Sequence, residues 1–275
     1  MFSTLAEETI RLALAEDIGH GDITSALIVP ESLDQRAVIR AKEDFILAGM
    51  PFVRNVFSII DPGIKVNTFF GEGTEVTKGS DIAEVAGNAR GLLVGERTAL
   101  NILQRVSGIA TLTSAYKKLV SDLAVKIVDT RKTSPGMRYM EKYGVRAGGG
   151  YNHRFGLYDG VLIKDNHIKI AGGVRTAMGL AKQAHHLLKI EIEVSNFDNL
   201  REALDAGADV IMLDNMSVND MRRAVEMAKG RALLEASGNI NIDNVREIAL
   251  TGVNLISVGA LTHSARAVDI SMKIE

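Results

Sequence analysis

Nine basic or imidazole side chains fall within positions 129–167: Arg131, Lys132, Arg138, Lys142, Arg146, His153, Arg154, Lys164 and His167. A run this rich in cations is usually a solvated face, and Arg138, Lys142 and Arg146 read that way. Arg131 and Lys132 differ, because they follow directly on the apolar run Ala124–Val128. Lys164 holds the equivalent place after Gly160–Ile163. Cations at the ends of apolar strands sit over the mouth of a barrel. Arginine clamps carboxylates through its planar fork of N–H donors. Arg131, Arg154 and Lys164 together suit a small ligand with more than one carboxylate. His153 reads either as a hydrogen-bonding partner of that ligand or as a structural histidine. Gly148, Gly149 and Gly150 precede it and permit unusual backbone angles and close approach to a ligand.

Opposite charge appears further along. Glu193 closes the run KIEI and Asp214 closes VIML. Two carboxylates at successive strand ends suit a hard cation shared with substrate oxygens, and Mg²⁺ is the expected ion. The alternative is an ion pair of either with Lys132 or Lys164. Glu235 stands one strand later, as a third site residue or as a hydrogen-bonding support. Two glycine turns then follow strands. Ser237-Gly238-Asn239 comes after ALLEA, and Val258-Gly259-Ala260 comes after LIS, with His263 close behind. Backbone N–H groups in such turns bind phosphate, and barrels use the turns after their last strands for it. His185-His186 reads as mid-helix, and adjacent helical residues do not face one ion.

The elements that must hold these residues repeat. From Glu193 to Asp214, to Glu235, to Ser257 the step is roughly 21–22 residues, a tight strand-plus-helix unit that implies parallel strands. Ahead of it, residues 4–16 have helical spacing, 36–50 alternate as strands do, and 64–86 hold short strands and glycine turns. From Gly95 to Asp122 the pattern is helical, with an interruption expected at Ser107-Gly108. The expected division is an N-terminal α/β domain over residues 1–106 and a β/α-barrel domain over 107–264. The tail 265–275 is expected to return to the first domain.

Composition narrows the class. A net charge of −2 and a pI of about 6.3 do not point to nucleic acid or a membrane surface. With no cysteine, disulfides and thiolate–metal sites are excluded and a reducing compartment is allowed. The acidic, amphipathic N-terminus lacks a signal-peptide pattern, and no apolar run reaches membrane-span length. The expected location is cytoplasmic.

At this level of detail the segments GERTALNILQRVSGIATLT, DTRKTSPGMRYMEKYGVRAGGGYNHRFGLYDGVLIKDNHI, IEVSN, IMLDN, LEASGNI and SVGALTHS closely resemble quinolinate phosphoribosyltransferase. EDIGHGDITS near the N-terminus is similar too, so the resemblance runs along nearly the whole chain. It implies an incomplete, roughly seven-stranded β/α barrel and a homodimer in which one subunit's N-terminal domain covers the other's barrel mouth. It implies that Arg131, His153, Arg154 and Lys164 hold the two carboxylates of quinolinate, with Arg97 reaching in from the partner. Thr130 and Lys132 would line the site. Glu193 and Asp214 would hold Mg²⁺ and the ribose of phosphoribosyl pyrophosphate. Lys132, Lys164, Glu193 and Asp214 would carry the catalysis. Ser237, Gly238, Asn239, Val258, Gly259 and Ala260 would hold phosphate, with His263 beside them. A phosphoribosyltransferase-like protein of molybdenum-transport operons is the alternative within the fold, and the intact TRK and NHR segments argue against it. A Schiff-base aldolase using Lys164 and a non-catalytic metabolite sensor are the alternatives outside it.

Overall fold

The computed structural model describes residues 4–275. They form two compact units. The first runs to Ser114 and also takes in Thr133–Gly149 and Leu261–Glu275; the second comprises Ala115–Lys132 and Gly150–Ala260.

Along the chain, α1 (Thr4–Ile18) buries Ala6, Ile10 and Leu14, a stripe at four-residue spacing. The short α2 (Ile23–Ile28) is capped by Asp22, whose carboxylate accepts the Ser25 N–H. Strands β1 (Asp34–Ala41) and β2 (Phe45–Ile46) lead to α3 (Met50–Ile60), whose first N–H groups are met by the distant Glu72 carboxylate at 2.7 and 2.9 Å. Then come β3 (Lys65–Thr68), β4 (Glu75–Val76), β5 (Asp81–Asn88) and the 31-residue helix α4 (Ala89–Leu119).

Helix α4 is continuous through Ser107-Gly108, where the sequence suggests a break. The pair is a contact point instead. Ser107 Oγ accepts the Ala48 N–H and donates to the Ala48 carbonyl, both at 3.0 Å. A side chain at position 108 would sit 1.9 Å from the Arg266 carbonyl oxygen, so only glycine lets that backbone approach.

The chain continues through β6 (Lys126–Val128), α5 (Arg138–Ala147), β7 (Val161–Ile163), α6 (Asp165–Ala171) and α7 (Val174–Ala181). Helix α7 stops at Ala181, so His185 and His186 lie beyond it, on the path to the next strand, with rings stacked 4.5 Å apart. The repeat follows: β8 (Ile190–Val194), α8 (Phe197–Asp205), β9 (Val210–Asp214), α9 (Val218–Ala228), β10 (Leu233–Ser237), α10 (Val245–Ala249), β11 (Leu255–Ser257) and α11 (Ala260–His263). Asn196 and Ser217 cap α8 and α9 through their side-chain oxygens. Strand β12 (Ile270–Ile274) ends the described chain.

In the first unit β12, β1, β5 and β3 pair in that order as an antiparallel sheet. Its core includes Phe45, Phe52, Phe57, Leu92, Leu103 and Met140. Met140 comes from α5, which explains why Thr133–Gly149 belongs to this unit although a linear division gives it to the barrel. In the second unit β6, β11, β10, β9, β8 and β7 form one parallel sheet. Tyr151 adds a single parallel bridge to Val128 beyond β6, so the open barrel has six strands and one bridge. No helix among the described residues is long and apolar enough to cross a membrane.

Candidate active site

Side chains alternate along a strand, so residues two apart share a face. In β8 this puts Glu191 and Glu193 on the inside of the sheet together; in β10 it does the same for Glu235 and Ser237. The inward positions meet at a cavity of about 230 Å³. Thr130, Arg131 and Lys132 reach it from the end of β6, and Lys164 from the end of β7. His153 and Arg154 arrive on the loop after Tyr151, and Glu193, Asp214 and Ser237 from β8, β9 and β10. Leu162, Met212, Glu235 and Ser257 complete the lining.

The cavity is divided by charge. Arg154 donates from Nη1 to the Gly160 carbonyl at 2.9 Å, while its Nε is buried with no acceptor. Its pKa is lowered, first by burial and then by the nearby positive charge of Arg131. Two guanidiniums that repel each other in a half-buried site form a receptor for a multiply charged anion. Glu193 shows the opposite strain. Its pKa is raised by burial and then by Asp214, and Lys164 only partly offsets this. The Glu193–Asp214 pair therefore gains from a cation placed between them. The donor set fits Mg²⁺, which binds through one or two carboxylates and keeps its other positions for water and substrate oxygens.

Beneath these lies a group whose full extent the sequence does not announce. His153 Nε2 is 3.0 Å from a Glu191 oxygen and 3.5 Å from a Glu235 oxygen. Glu235 is fully buried and Glu191 almost so. His153 Nδ1 accepts the Arg154 backbone N–H at 2.9 Å. In the neutral ring the proton is therefore on Nε2, which points a donor rather than a lone pair at the two carboxylates. A metal bound through Nε2 would need the other tautomer. Burial opposes a charged imidazole here, yet the two glutamates outweigh it and push His153 up to about 10. Glu191 is raised as well, chiefly by burial. Glu235 thus has the supporting place, and Glu191 is the residue missed by reading only strand ends; the alternation in IEIEV was its signal.

The turns after the later strands are strained. Gly238 has φ +94, and a side chain there would meet Asn215 Oδ1 at 2.2 Å. Asn215 and Asn239 are not glycine, yet have φ 54 and 52. Asn215 Nδ2 donates to Asp214 at 2.9 Å, and Asn239 Nδ2 donates to Asn215 Oδ1 at 3.1 Å. This chain orients Asp214, a role for Asn215 that the motif IMLDN contained but spacing did not single out. Gly238, Asn239, Val258, Gly259 and Ala260 follow β10 and β11 in the same unit, without lining the cavity. Helices α10 and α11 have five and four residues, so the turns offer N–H groups rather than a long helix dipole. Arg97 and His263 belong to the first unit. Arg97 is exposed on α4, and His263 is exposed with Nδ1 2.6 Å from Ser264 Oγ.

Residues 22–107 match the family model described as quinolinate phosphoribosyl transferase, N-terminal domain, and residues 109–273 match its C-terminal domain. A probable nicotinate-nucleotide pyrophosphorylase (carboxylating) of Bacillus subtilis (strain 168) is 46% identical over 260 residues, covering 94% of this chain and 90% of that one. The chloroplastic nicotinate-nucleotide pyrophosphorylase (carboxylating) of Arabidopsis thaliana is 43% identical, covering 97% and 82%. Among solved structures, the nicotinate-nucleotide pyrophosphorylase from Francisella tularensis superposes with a TM-score of 0.94 at 43% identity, covering 98% and 96%. NadC from Streptococcus pyogenes gives 0.96 at 38% identity, covering 100% and 98%.

Proposed function

The chain belongs to the quinolinate phosphoribosyl transferase family, and from that premise we propose how its cavity divides the work of the reaction. The enzyme transfers phosphoribosyl from phosphoribosyl pyrophosphate to quinolinate and releases CO₂. The products are nicotinate mononucleotide and pyrophosphate, a step of NAD biosynthesis. The observation that carries the residue-level reading is the charge division of one cavity, with Arg131, Arg154, Lys132 and Lys164 against Glu193 and Asp214.

Arg131, Arg154 and Lys164 hold the two carboxylates of quinolinate, with Thr130 and Lys132 beside them. His153 lies against the ligand with its ring nitrogens turned to Arg154 and Glu191; to donate to a carboxylate, Nε2–H must leave Glu191. Arg97 of a second copy completes the clamp, so the working unit is a homodimer. Glu193 and Asp214 hold Mg²⁺ and face the ribose. The turns at Ser237–Asn239 and Val258–Ala260, with His263, take the 5′-phosphate through N–H donors. The expected compartment is the cytoplasm.

When bound, Mg²⁺ neutralises charge on the pyrophosphate. The chain's own residues do the rest. As the C1–O bond to pyrophosphate breaks, positive charge grows on the ribose, and Glu193 and Asp214 stabilise it while Lys132 and Lys164 stabilise the departing anion. The fixed carboxylate clamp aims the ring nitrogen at C1, and the N–C1 bond forms. The ring is now a pyridinium. The bond from C2 to its carboxylate breaks, the electron pair stays on C2 beside N⁺, CO₂ leaves, and C2 takes a proton. No covalent enzyme intermediate is required.

The test is formation of nicotinate mononucleotide and CO₂ from quinolinate, phosphoribosyl pyrophosphate and Mg²⁺, with nicotinate as a parallel substrate. Turnover of quinolinate alone is expected. Arg131→Ala should raise KM for quinolinate about a hundredfold, as loss of a bidentate ion pair does. An unchanged KM removes Arg131 from the clamp.

A further inference from the structure

The clamp has two halves on separate stretches of chain. Thr130, Arg131 and Lys132 follow β6, whereas His153 and Arg154 lie more than twenty residues later. Arg131 and Arg154 repel each other before any anion arrives. Something must hold the halves together against that repulsion.

The residue between them is Asp129, the first after β6 and fully buried. Its Oδ1 accepts the His153 backbone N–H at 2.8 Å, and its Oδ2 accepts Asn152 Nδ2 at 2.6 Å. Its own N–H donates to the Tyr151 carbonyl at 3.0 Å, and the Tyr151 N–H donates to Ile127 at 2.9 Å. On the other flank of β6, the Val258 N–H donates to the Val128 carbonyl at 3.0 Å. The order then passes outward, since His153 Nδ1 accepts the Arg154 N–H at 2.9 Å. One carboxylate thus holds the Asn152 side chain and the His153 backbone, and through the His153 ring the order reaches the Arg154 N–H. A neutral side chain cannot do this as it stands, because two donors converge and only a carboxylate offers two acceptors on one rigid plane. Burying that charge is costly unless it is fully hydrogen-bonded. Asp129 also places negative charge two residues from Arg131 and near the start of the Arg154 loop.

We propose that Asp129 is a positioning residue for quinolinate, fastening the segment with Arg131 and Lys132 to the segment with His153 and Arg154 through a paired contact with Asn152 and the His153 N–H. This rests on the assignment of those cations to quinolinate.

The geometry supplies its own control, because the Asp129–Asn152 contact can be reversed. In Asn152→Asp two carboxylates face each other and the contact is lost. In the double variant Asp129→Asn/Asn152→Asp, the new amide at 129 donates to the new carboxylate at 152 and still accepts the His153 N–H. The experiment measures kcat and both KM values for wild type, Asp129→Ala, Asn152→Asp and the double variant, with Tm for each. Asp129→Ala and Asn152→Asp are expected to raise KM for quinolinate about ten- to hundredfold, the scale of a charge-assisted hydrogen bond. KM for phosphoribosyl pyrophosphate should change far less, within about threefold, because only Lys132 of the two fastened segments is assigned to that substrate. The double variant should return KM for quinolinate to within about threefold of wild type, as a restored pair does in a double-mutant cycle. The proposal is overturned if the single variants leave KM for quinolinate unchanged, if both KM values rise together, or if the double variant folds with wild-type Tm but recovers nothing. Should Asp129→Ala not fold, Asn152→Asp and the double variant carry the test alone. Wild type in parallel separates the two readings. Failure of wild type to turn over quinolinate sinks the substrate assignment, whereas active wild type with indifferent variants sinks only the role of Asp129.

Discussion

His153 turns one ring nitrogen to Arg154 and the other to the glutamate pair. That arrangement carries a pH dependence whose sign is fixed. The imidazole is raised from 6.5 to about 10 in the folded chain, so the folded cluster holds a proton that the unfolded chain releases near neutrality. The stability linked to it is complete below pH 6.5 and is lost as pH rises toward 10. Urea unfolding midpoints measured from pH 6 to pH 10 should therefore decline on the alkaline side. Glu235→Gln removes one of the two charges that retain the proton, so its decline should end at lower pH. Parallel curves for the two proteins would mean that Glu235 does not help His153 keep its proton. At this scale the site was partly legible: strand-end positions pick out Arg131, Lys164, Glu193 and Asp214. Glu191 and Asp129 were not picked out, because each is a buried acid whose partner comes from a distant segment, and nothing in local spacing names that partner.

At the scale of elements, the roughly 21-residue step was readable because each repeat is a short apolar strand followed by a capped helix, and both leave periodic marks. The first unit was readable as alternating strands and glycine turns. The continuity of helix α4 through Ser107-Gly108 is not legible in the sequence, because helix propensity penalises glycine, while the reason for that glycine is the backbone at Arg266 passing close by. The strained turns were hidden for a related reason: asparagine is common in loops, and only the folded chain shows positive φ at Asn215 and Asn239. Those turns make a prediction. In Gly238→Ala the new methyl displaces Asn215, which then releases Asp214. The strain costs about 1–3 kcal/mol, and KM for phosphoribosyl pyrophosphate should rise more than KM for quinolinate. Equal effects on both would disconnect this turn from Asp214.

At the scale of the molecule, the cavity side chains all belong to the second unit, while Arg97 belongs to the first. If Arg97 serves a neighbouring copy, activity is a property of pairs. Co-expressed Arg97→Ala and Arg131→Ala subunits, each strongly impaired alone when assayed far below saturating quinolinate, would form hybrid dimers in which one site carries both lesions and the other none. With random pairing, about a quarter of wild-type activity returns. No recovery would place Arg97 in its own subunit's chemistry or in none. A different consequence follows from the first sheet. Strand β1 pairs with β12, which lies roughly 230 residues further along the chain. At a synthesis rate of about 5–20 residues per second, β1 waits on the order of 10–45 seconds for that neighbour. Throughout this interval its free edge is open to any passing strand. From β7 to β11 each strand's partner is made next, so those repeats face no such delay, and the nascent chain is most exposed in the part made first.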